Sequence, residues 1–249
     1  MSNRLGQTLE GSFFILQLKG LLVLALLLVI SDWGFEDRLD IWLADQMFDF
    51  TTAQFPLKES WFAATVMHVW LKHLMLAFVL CLVGLLAYEL LSSKPKLNPT
   101  QLANLKIIVS AAIILPLLVG VLKAISPIHC PWDLARYGGH AVEFSFGHII
   151  PEGKCFPAGH VTSTSWLMAL VFIYLPFNTT KARWVWALTF GIAFTTGWVQ
   201  QLRGAHFLCH TLWSLWLSWA VIVGLAYYFR GKRYAPSSTL LSKQAAARL

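Results

Sequence analysis

The chain has 249 residues, 57% of them hydrophobic and only 12% charged, with a mean hydropathy of +0.62. Soluble domains carry about 25% charged residues, so a water-soluble globule is excluded; 14% aromatic content excludes disorder, and four Cys are too few for a disulfide-stapled scaffold. The net charge of +7 would suit nucleic acid only if the cations lined a soluble face, and none is present.

What remains is an integral membrane protein. Six apolar segments are predicted as bilayer-crossing helices, at 12–30, 73–91, 106–125, 160–176, 184–200 and 207–229. Lipid offers no partner to backbone amides, and strand alternation for a barrel is missing, so the expected class is all-α: a six-helix membrane bundle forming one domain over 1–249. The first segment contains Lys19 and lacks a small-residue cleavage site, so it reads as a retained span.

Charge placement orients the spans. Arg4, Lys94, Lys96, Lys181, Arg183, Arg230, Lys232, Arg233, Lys243 and Arg248 fall in the termini and in the loops at 92–105 and 177–183, with Lys106 at the boundary. Ten of the twelve acidic residues fall in the intervening loops: Asp32, Glu36, Asp37, Asp40, Asp45, Asp49, Glu59, Asp133, Glu143 and Glu152. The positive-inside rule then predicts both termini in the cytoplasm and loops 31–72, 126–159 and 201–206 outside. Most of the +7 is a topology signal.

Two outer loops are more than linkers. Segment 39–50 alternates Leu39, Ile41, Trp42, Leu43, Met47, Phe48 and Phe50 with acids, which suits a short interfacial helix or a lid, the alternative being a solvated connector. Loop 126–159 is rich in Pro and Gly and is predicted to be irregular and folded against the bundle. The segment 235–249 reads as a cytoplasmic tail. The twelve Trp suit an aromatic belt at both interfaces, and His68, Lys72 and His73 read as interfacial anchors. Cys81 and Cys209 read as packing residues, and His129 and His140 as decoration of the outer loop.

Ionisable residues inside spans are costly and functional by default. Lys123, His160, Arg203, His206 and His210 all fall near the outer boundary of four successive span ends. Cations hold oxyanions, and imidazoles attack or transfer protons, so the set suits a phosphate. The competing reading is metal: His206 and His210 are spaced i, i+4, as in zinc sites, with His160 as a third ligand.

The pattern resembles the type 2 phosphatidic acid phosphatase (PAP2) superfamily, whose motifs are Lys-x6-Arg-Pro, Pro-Ser-Gly-His and Ser-Arg-x5-His-x3-Asp. The counterparts here are Lys123 with Cys130-Pro131, then Pro157-Ala158-Gly159-His160, then Val199-Gln200 with His206 and His210. All three spacings are kept, within a core at about 105–229. The resemblance implies a phosphohistidine mechanism without metal or other cofactor. His206 would be the nucleophile and His160 the proton donor. Lys123 and the Gly159 and His160 amides would hold phosphate oxygens. It also implies a bacterial inner-membrane enzyme facing the periplasm. Its substrate would be a membrane lipid: undecaprenyl diphosphate, phosphatidylglycerophosphate, phosphatidate or a lipid A phosphate.

Four motif positions depart from the family. Its two Arg are Cys130 and Gln200, its Ser is Ala158, and its orienting Asp is His210. Arg203 offers a replacement cation, since on a helix it would sit about 60° from position 200 at roughly 100° per residue. A neutral His210 could accept a hydrogen bond from His206, and Asp133 is another candidate partner. Cys130 and Cys155 share the outer loop, where an oxidising periplasm would favour a disulfide that fixes Lys123 relative to His160; the alternative is two free small residues. Three functions stay open: a lipid phosphatase, a lipid phosphotransferase acting on another lipid such as lipid A, and a non-catalytic lipid-binding protein.

Overall fold

The computed structural model describes residues 2–32, 36–141, 153–175 and 177–230. The segment 235–249 and the acids Glu143 and Glu152 lie outside the described residues. Those described form helices and short turns, with no strand among them. The helices are α1 (Ser2–Asp32), α2 (Glu36–Met47), a π-helical segment (Trp61–Trp70) running into α3 (Leu71–Leu91), and α4 (Pro99–Ala124). Then come α5 (Gly159–Ser165), a 3-10 stretch (Trp166–Leu170), α6 (Val171–Tyr174), α7 (Thr179–Leu202) and α8 (Leu208–Phe229).

Four helices are long and apolar enough to cross a membrane: Phe13–Ser31, Trp61–Leu91, Pro99–Ala124 and Leu208–Phe229. The expectation of six is therefore met only for four. The predicted span 160–176 is divided into α5, the 3-10 stretch and α6. The predicted span 184–200 is the helix α7, outside those four and interrupted by Thr189, Thr195, Thr196, Gln200 and Gln201. The physical reason is position. Val161, Trp166, Met168, Phe172 and Ala193 are buried in the core with Ile107 and Leu115 of α4 and Leu215 and Ile222 of α8. The first of these elements answers to protein neighbours and needs no continuous helix, while α7 turns Thr189, Thr196, Gly197, Gln200 and Gln201 inward and leaves Trp184 and Leu188 exposed.

The outer helices show the opposite pattern. Leu16 and Leu22 of α1 and Leu74 and Leu80 of α3 are each more than 60% exposed. Such continuous apolar surface is unfavourable in water by about 25 cal/mol per Å² and is at home in lipid. α1 is tied to α8 by indoles: Trp216 Nε1 donates to the Leu21 carbonyl (2.9 Å) and Trp219 Nε1 to Gln17 Oε1 (2.8 Å).

Local chemistry sets the helix ends. Asn98 and Gln101 form a capping box before Pro99 at the start of α4. Asn178 caps α7 by accepting from the Lys181 amide. Glu89 is buried because its carboxylate accepts from the Lys96 and Leu97 amides of the α3–α4 loop. At that same end Arg230 is also buried, donating to the Leu175 and Phe172 carbonyls and to Asn104. Expected only as a topology marker, it clamps α8 to α4 and α6.

Inside the bundle, small hydroxyl residues bring helices close. Ser165 bonds Ser218 (2.7 Å), Thr164 bonds Thr196 (3.0 Å), and Gln201 Nε2 donates to Thr211 Oγ1 (3.1 Å). Gly197 lies where α7 meets α5 and α8, and a Cβ there would run into the side chains of Thr211 and Val161. Gly191, on the same helix, has open space around it. Gly197→Val is expected to lower stability by about 1–3 kcal/mol, while Gly191→Ala lowers it not at all, as thermal unfolding in detergent will measure.

Candidate active site

The chain reverses at one end of the bundle so that α4 ends, α5 begins, α7 ends, α8 begins and the π-helical segment begins together. The turn between α7 and α8 is the centre of that end. Gly204 has φ +73°, and a Cβ on it would collide with the Phe55 ring. Its carbonyl accepts from the Trp132 amide (3.0 Å), and the Ala205 amide donates to Gln200 O (2.9 Å). Outer segments from three parts of the sequence therefore grip a single turn.

That turn delivers His206 into the bundle, 2% exposed. His206 Nε2 lies 3.3 Å from His160 Nδ1, and His206 Nδ1 lies 3.4 Å from His210 Nδ1. His210 is 1% exposed and touched edge-on by the rings of Phe156 and Phe207. The three imidazoles expected from sequence are thus in direct contact. A fourth was missed: the His68 ring lies 4.5 Å, centroid to centroid, from that of His160. His68 and Lys72 were read as interfacial anchors, and this contact corrects the reading for His68. The signal available in the sequence was their spacing, a His and a Lys one turn apart at the entry to an apolar segment.

The cations stand around this row. Lys123, in the last turn of α4, is half-buried and acts electrostatically on all four imidazoles. Arg203 is 8% exposed; its Nη1 donates to Gln200 Oε1 (2.9 Å) and its Nε to the Lys58 carbonyl (2.9 Å). Arg203 thus sits at the C-cap of α7 rather than on the helix, yet its guanidinium meets the side chain at position 200. Gln200 keeps its Nε2 buried without a protein partner. Asp133, proposed as an orienting acid, is committed elsewhere: its Oδ2 accepts from the Cys130 amide at the start of a 3-10 turn (Pro131–Asp133). His140 is exposed on the outer loop, as expected, whereas His129 is half-buried.

Cys130 and Cys155 form a disulfide. The same strap is held by bonds from the Lys154 amide to Ser126 O (2.8 Å) and from Cys155 N to Ile128 O (2.9 Å). Cys155 Sγ packs 3.4 Å from His206 Nδ1. The disulfide therefore joins the loop after Lys123 to the segment before Ala158 and Gly159 and presses on His206. Sγ of both cysteines and a ring nitrogen of His206 lie within 4.8 Å of one another. In the oxidised pair neither sulfur is the thiolate a metal takes, so this donor set does not suit zinc. Ala158 supplies no side-chain cap to α5, so the first-turn amides at Gly159 and His160 have no capping oxygen.

A helical membrane bundle with buried imidazoles and cations at one end is the class of site that handles phosphate esters. A family model described as the PAP2 superfamily matches residues 104–234, and the chain belongs to that superfamily. No curated protein and no solved structure matches it.

Removing the disulfide by Cys130→Ser with Cys155→Ser is expected to cost about 3–4 kcal/mol, by chain-entropy reasoning for cysteines 25 residues apart. Thermal unfolding with and without reductant measures it: reductant lowers the midpoint of the native protein and leaves the double variant unchanged. A pH effect follows from His206. Burial, reinforced by the neighbouring histidines and Lys123, holds its pKa well below the ordinary value. Above about pH 6.5 both folded and unfolded states are neutral; below it the unfolded chain alone takes the proton, so stability falls as pH falls. His206→Phe is expected to flatten that loss between pH 7 and 5 in the same unfolding assay.

Proposed function

We propose that the protein is a membrane lipid phosphatase that works through a phosphohistidine on His206. The observation that carries this reading is the direct contact of three imidazoles, with both ring nitrogens of His206 engaged. Two tautomer sets satisfy both contacts, and the one that leaves His206 nucleophilic at Nε2 has His160 Nδ1–H donating to His206 Nε2 and His206 Nδ1–H donating to His210 Nδ1. His206 Nε2 then carries the lone pair that attacks phosphorus. His210, a neutral acceptor, orients the nucleophile where the family has Asp. Binding of the anionic phosphoryl group separates His206 from His160 and lets His160 take up a second proton from solvent; as the imidazolium it protonates the departing oxygen, and the neutral ring left behind then activates water.

Lys123 and Arg203 neutralise the phosphoryl oxygens, with Arg203 taking the role of the family's second Arg from a neighbouring position. The Gly159 and His160 amides supply further donors. The lipid tail stays among the apolar helices while the headgroup enters the polar end. The Lys/Arg distribution of the loops supports a site on the periplasmic side of a bacterial inner membrane, with both termini cytoplasmic.

The test uses purified protein and a short-chain lipid phosphate in detergent. Inorganic phosphate is released in the presence of chelator, vanadate blocks release, and His206→Ala lowers turnover by about three orders of magnitude or more. Chelator-sensitive release would favour a metal mechanism, and phosphate appearing on a second lipid would favour transfer. Full activity in His206→Ala overturns the assignment.

A further inference from the structure

The proposed reaction uses three imidazoles, Lys123 and Arg203, and leaves His68, Lys72 and the Gln200 amide without a task. These three are not scattered. His68 lies against His160 (centroids 4.5 Å), whereas His206 lies 5.4 Å from His160. His68 and Gln200 are also near enough to interact. Lys72, one turn beyond His68, acts on His68 and His160, the members of the row farther from His210. The row therefore has a direction, from deeply buried His210 through His206 and His160 to His68 and Lys72.

His68 stands on unusual backbone. Trp61–Trp70 is π-helical, with the Leu71 amide closing on the Val66 carbonyl, five residues back. Long π-helical runs are rare, and short ones mark functional sites. The consequence here is geometric. In an α-helix Ala63 and His68 would stand about 140° apart at roughly 100° per residue. With hydrogen bonds to i−5 they come nearly into line. Ala63 is the buried residue of this segment, while Trp61, Phe62, Val69 and Trp70 are exposed. The π-helical winding turns His68 to the inner face, against His160.

Two polar atoms at this place fall outside the hydrogen-bonding geometry of any protein group. His68 Nδ1 and Gln200 Nε2 are both buried there, on side chains that adjoin each other, and Gln200 as a whole is 1% exposed. Leaving such groups unpaired costs about 1–3 kcal/mol each, so the arrangement makes sense when an acceptor arrives with the substrate. The surrounding groups say which acceptor. Lys72 one turn along the same helix, Lys123 from α4, Arg203 from the α7–α8 turn and His160 from α5 interact electrostatically with His68. Among the described residues no carboxylate acts on His68 or His160; Glu59 acts on Arg203 and Asp133 on Lys123. The acceptor is an anion.

We infer that His68, Lys72 and the Gln200 amide form a second anion subsite, on the leaving-group side of His160, which selects lipid diphosphates over lipid monophosphates. The inference rests on the phosphatase reading above. His206 Nε2 attacks the terminal phosphorus, and the bond from that phosphorus to the bridging oxygen breaks. The bridging oxygen takes a proton from His160, which has entered the step as the imidazolium and is left as the neutral ring, and departs as a lipid monophosphate. Water then cleaves the phosphohistidine to give inorganic phosphate. The group attached to the departing oxygen lies on the far side of His160 from His206, where His68 and Lys72 stand. A hydroxyl leaving group has no use for a cation and two donors there; a phosphate does. Lys72 opens the lipid-facing α3, so the tail continues from this subsite along that helix.

Farnesyl diphosphate and farnesyl monophosphate are a matched pair of probes, compared by phosphate release in detergent micelles. The native protein is expected to prefer the diphosphate in kcat/KM. His68→Ala and Lys72→Ala each lower the diphosphate value roughly ten- to hundredfold more than the monophosphate value, whereas exposed His73→Ala shifts neither ratio. Thermal unfolding of each variant separates this from misfolding, and Lys72→Arg, which keeps the charge, restores most of the preference. Equal turnover of both probes by the native protein, or an equal loss on both in His68→Ala and Lys72→Ala, overturns the subsite while leaving the phosphatase reading intact. No release from either probe, or release that survives His206→Ala, overturns the phosphatase reading itself.

Discussion

The polar end of this protein depends on one tight turn, the residues from Arg203 to Phe207 that reverse the chain between α7 and α8. It is held from outside by the Phe55 ring, by the Trp132 amide and by the sulfur of Cys155, and from within by its own bonds to Gln200 and Gln201. Glycine at Gly204 is required because the backbone is left-handed and the Phe55 ring occupies the space of a Cβ. From this turn Arg203 points to Gln200 and Lys58, while His206 points to His160 and His210. A loose turn would lose both Arg203 and His206 from the site. The disulfide and the Asp45–Arg136–Tyr137 cluster beside α2 stiffen the segments that hold it. Arg136 grips Asp45 through two bonds (2.6 and 2.8 Å), a third comes from the Tyr137 hydroxyl (2.9 Å), and Arg136 keeps the Asp45 carboxyl below its usual range.

Low dielectric explains why the site is built of imidazoles. A buried carboxylate or ammonium needs a partner or shifts to its neutral form. Imidazole is neutral at modest cost and offers both a donor and an acceptor, so a row of rings satisfies itself by passing hydrogen bonds along. His210 in place of the family's Asp fits this logic, because a neutral ring needs no counter-ion at a position 1% exposed. The trade is that it orients His206 without stabilising a positive ring as a carboxylate would. Cations are instead kept where water or substrate can reach them, with Lys123 half-buried and Lys72 exposed. Arg203 is buried only because carbonyl acceptors take its donors.

How much was legible in the sequence differs by residue. The three motif spacings placed Lys123, His160, His206 and His210 together before any fold was known, since each motif sits at a span end and antiparallel helices bring alternate ends to one side. Helix α2 was readable from its acids alternating with apolar residues, and α4 extends the prediction only by its capping box. Arg203 was anticipated through the wrong geometry: it leaves the helix at a cap and still meets Gln200. His68 was read as an interfacial anchor because it precedes the predicted span 73–91, whereas the helix begins at Trp61 and its π-helical first part brings His68 against His160. Asp133 was a reasonable candidate by charge, but its carboxylate closes a local turn.

The sequence by itself determined the solvent and the inventory. Too few charges for water, apolar segments long enough to cross a bilayer, and a small set of His, Lys and Arg at span ends follow from composition and spacing, which depend only on local chain geometry and transfer energies. Tertiary structure alone decided which helix faces answer to lipid and which to protein, so that 160–176 is broken and Thr189, Thr196, Gln200 and Gln201 of α7 are buried while its Trp184 and Leu188 are exposed. It also decided that Cys155 presses on His206 and that His68 joins the imidazole row. Those outcomes rest on contacts between segments 50 to 145 residues apart, and such contacts are fixed by packing and hydrogen-bond satisfaction across the bundle, which no local pattern encodes.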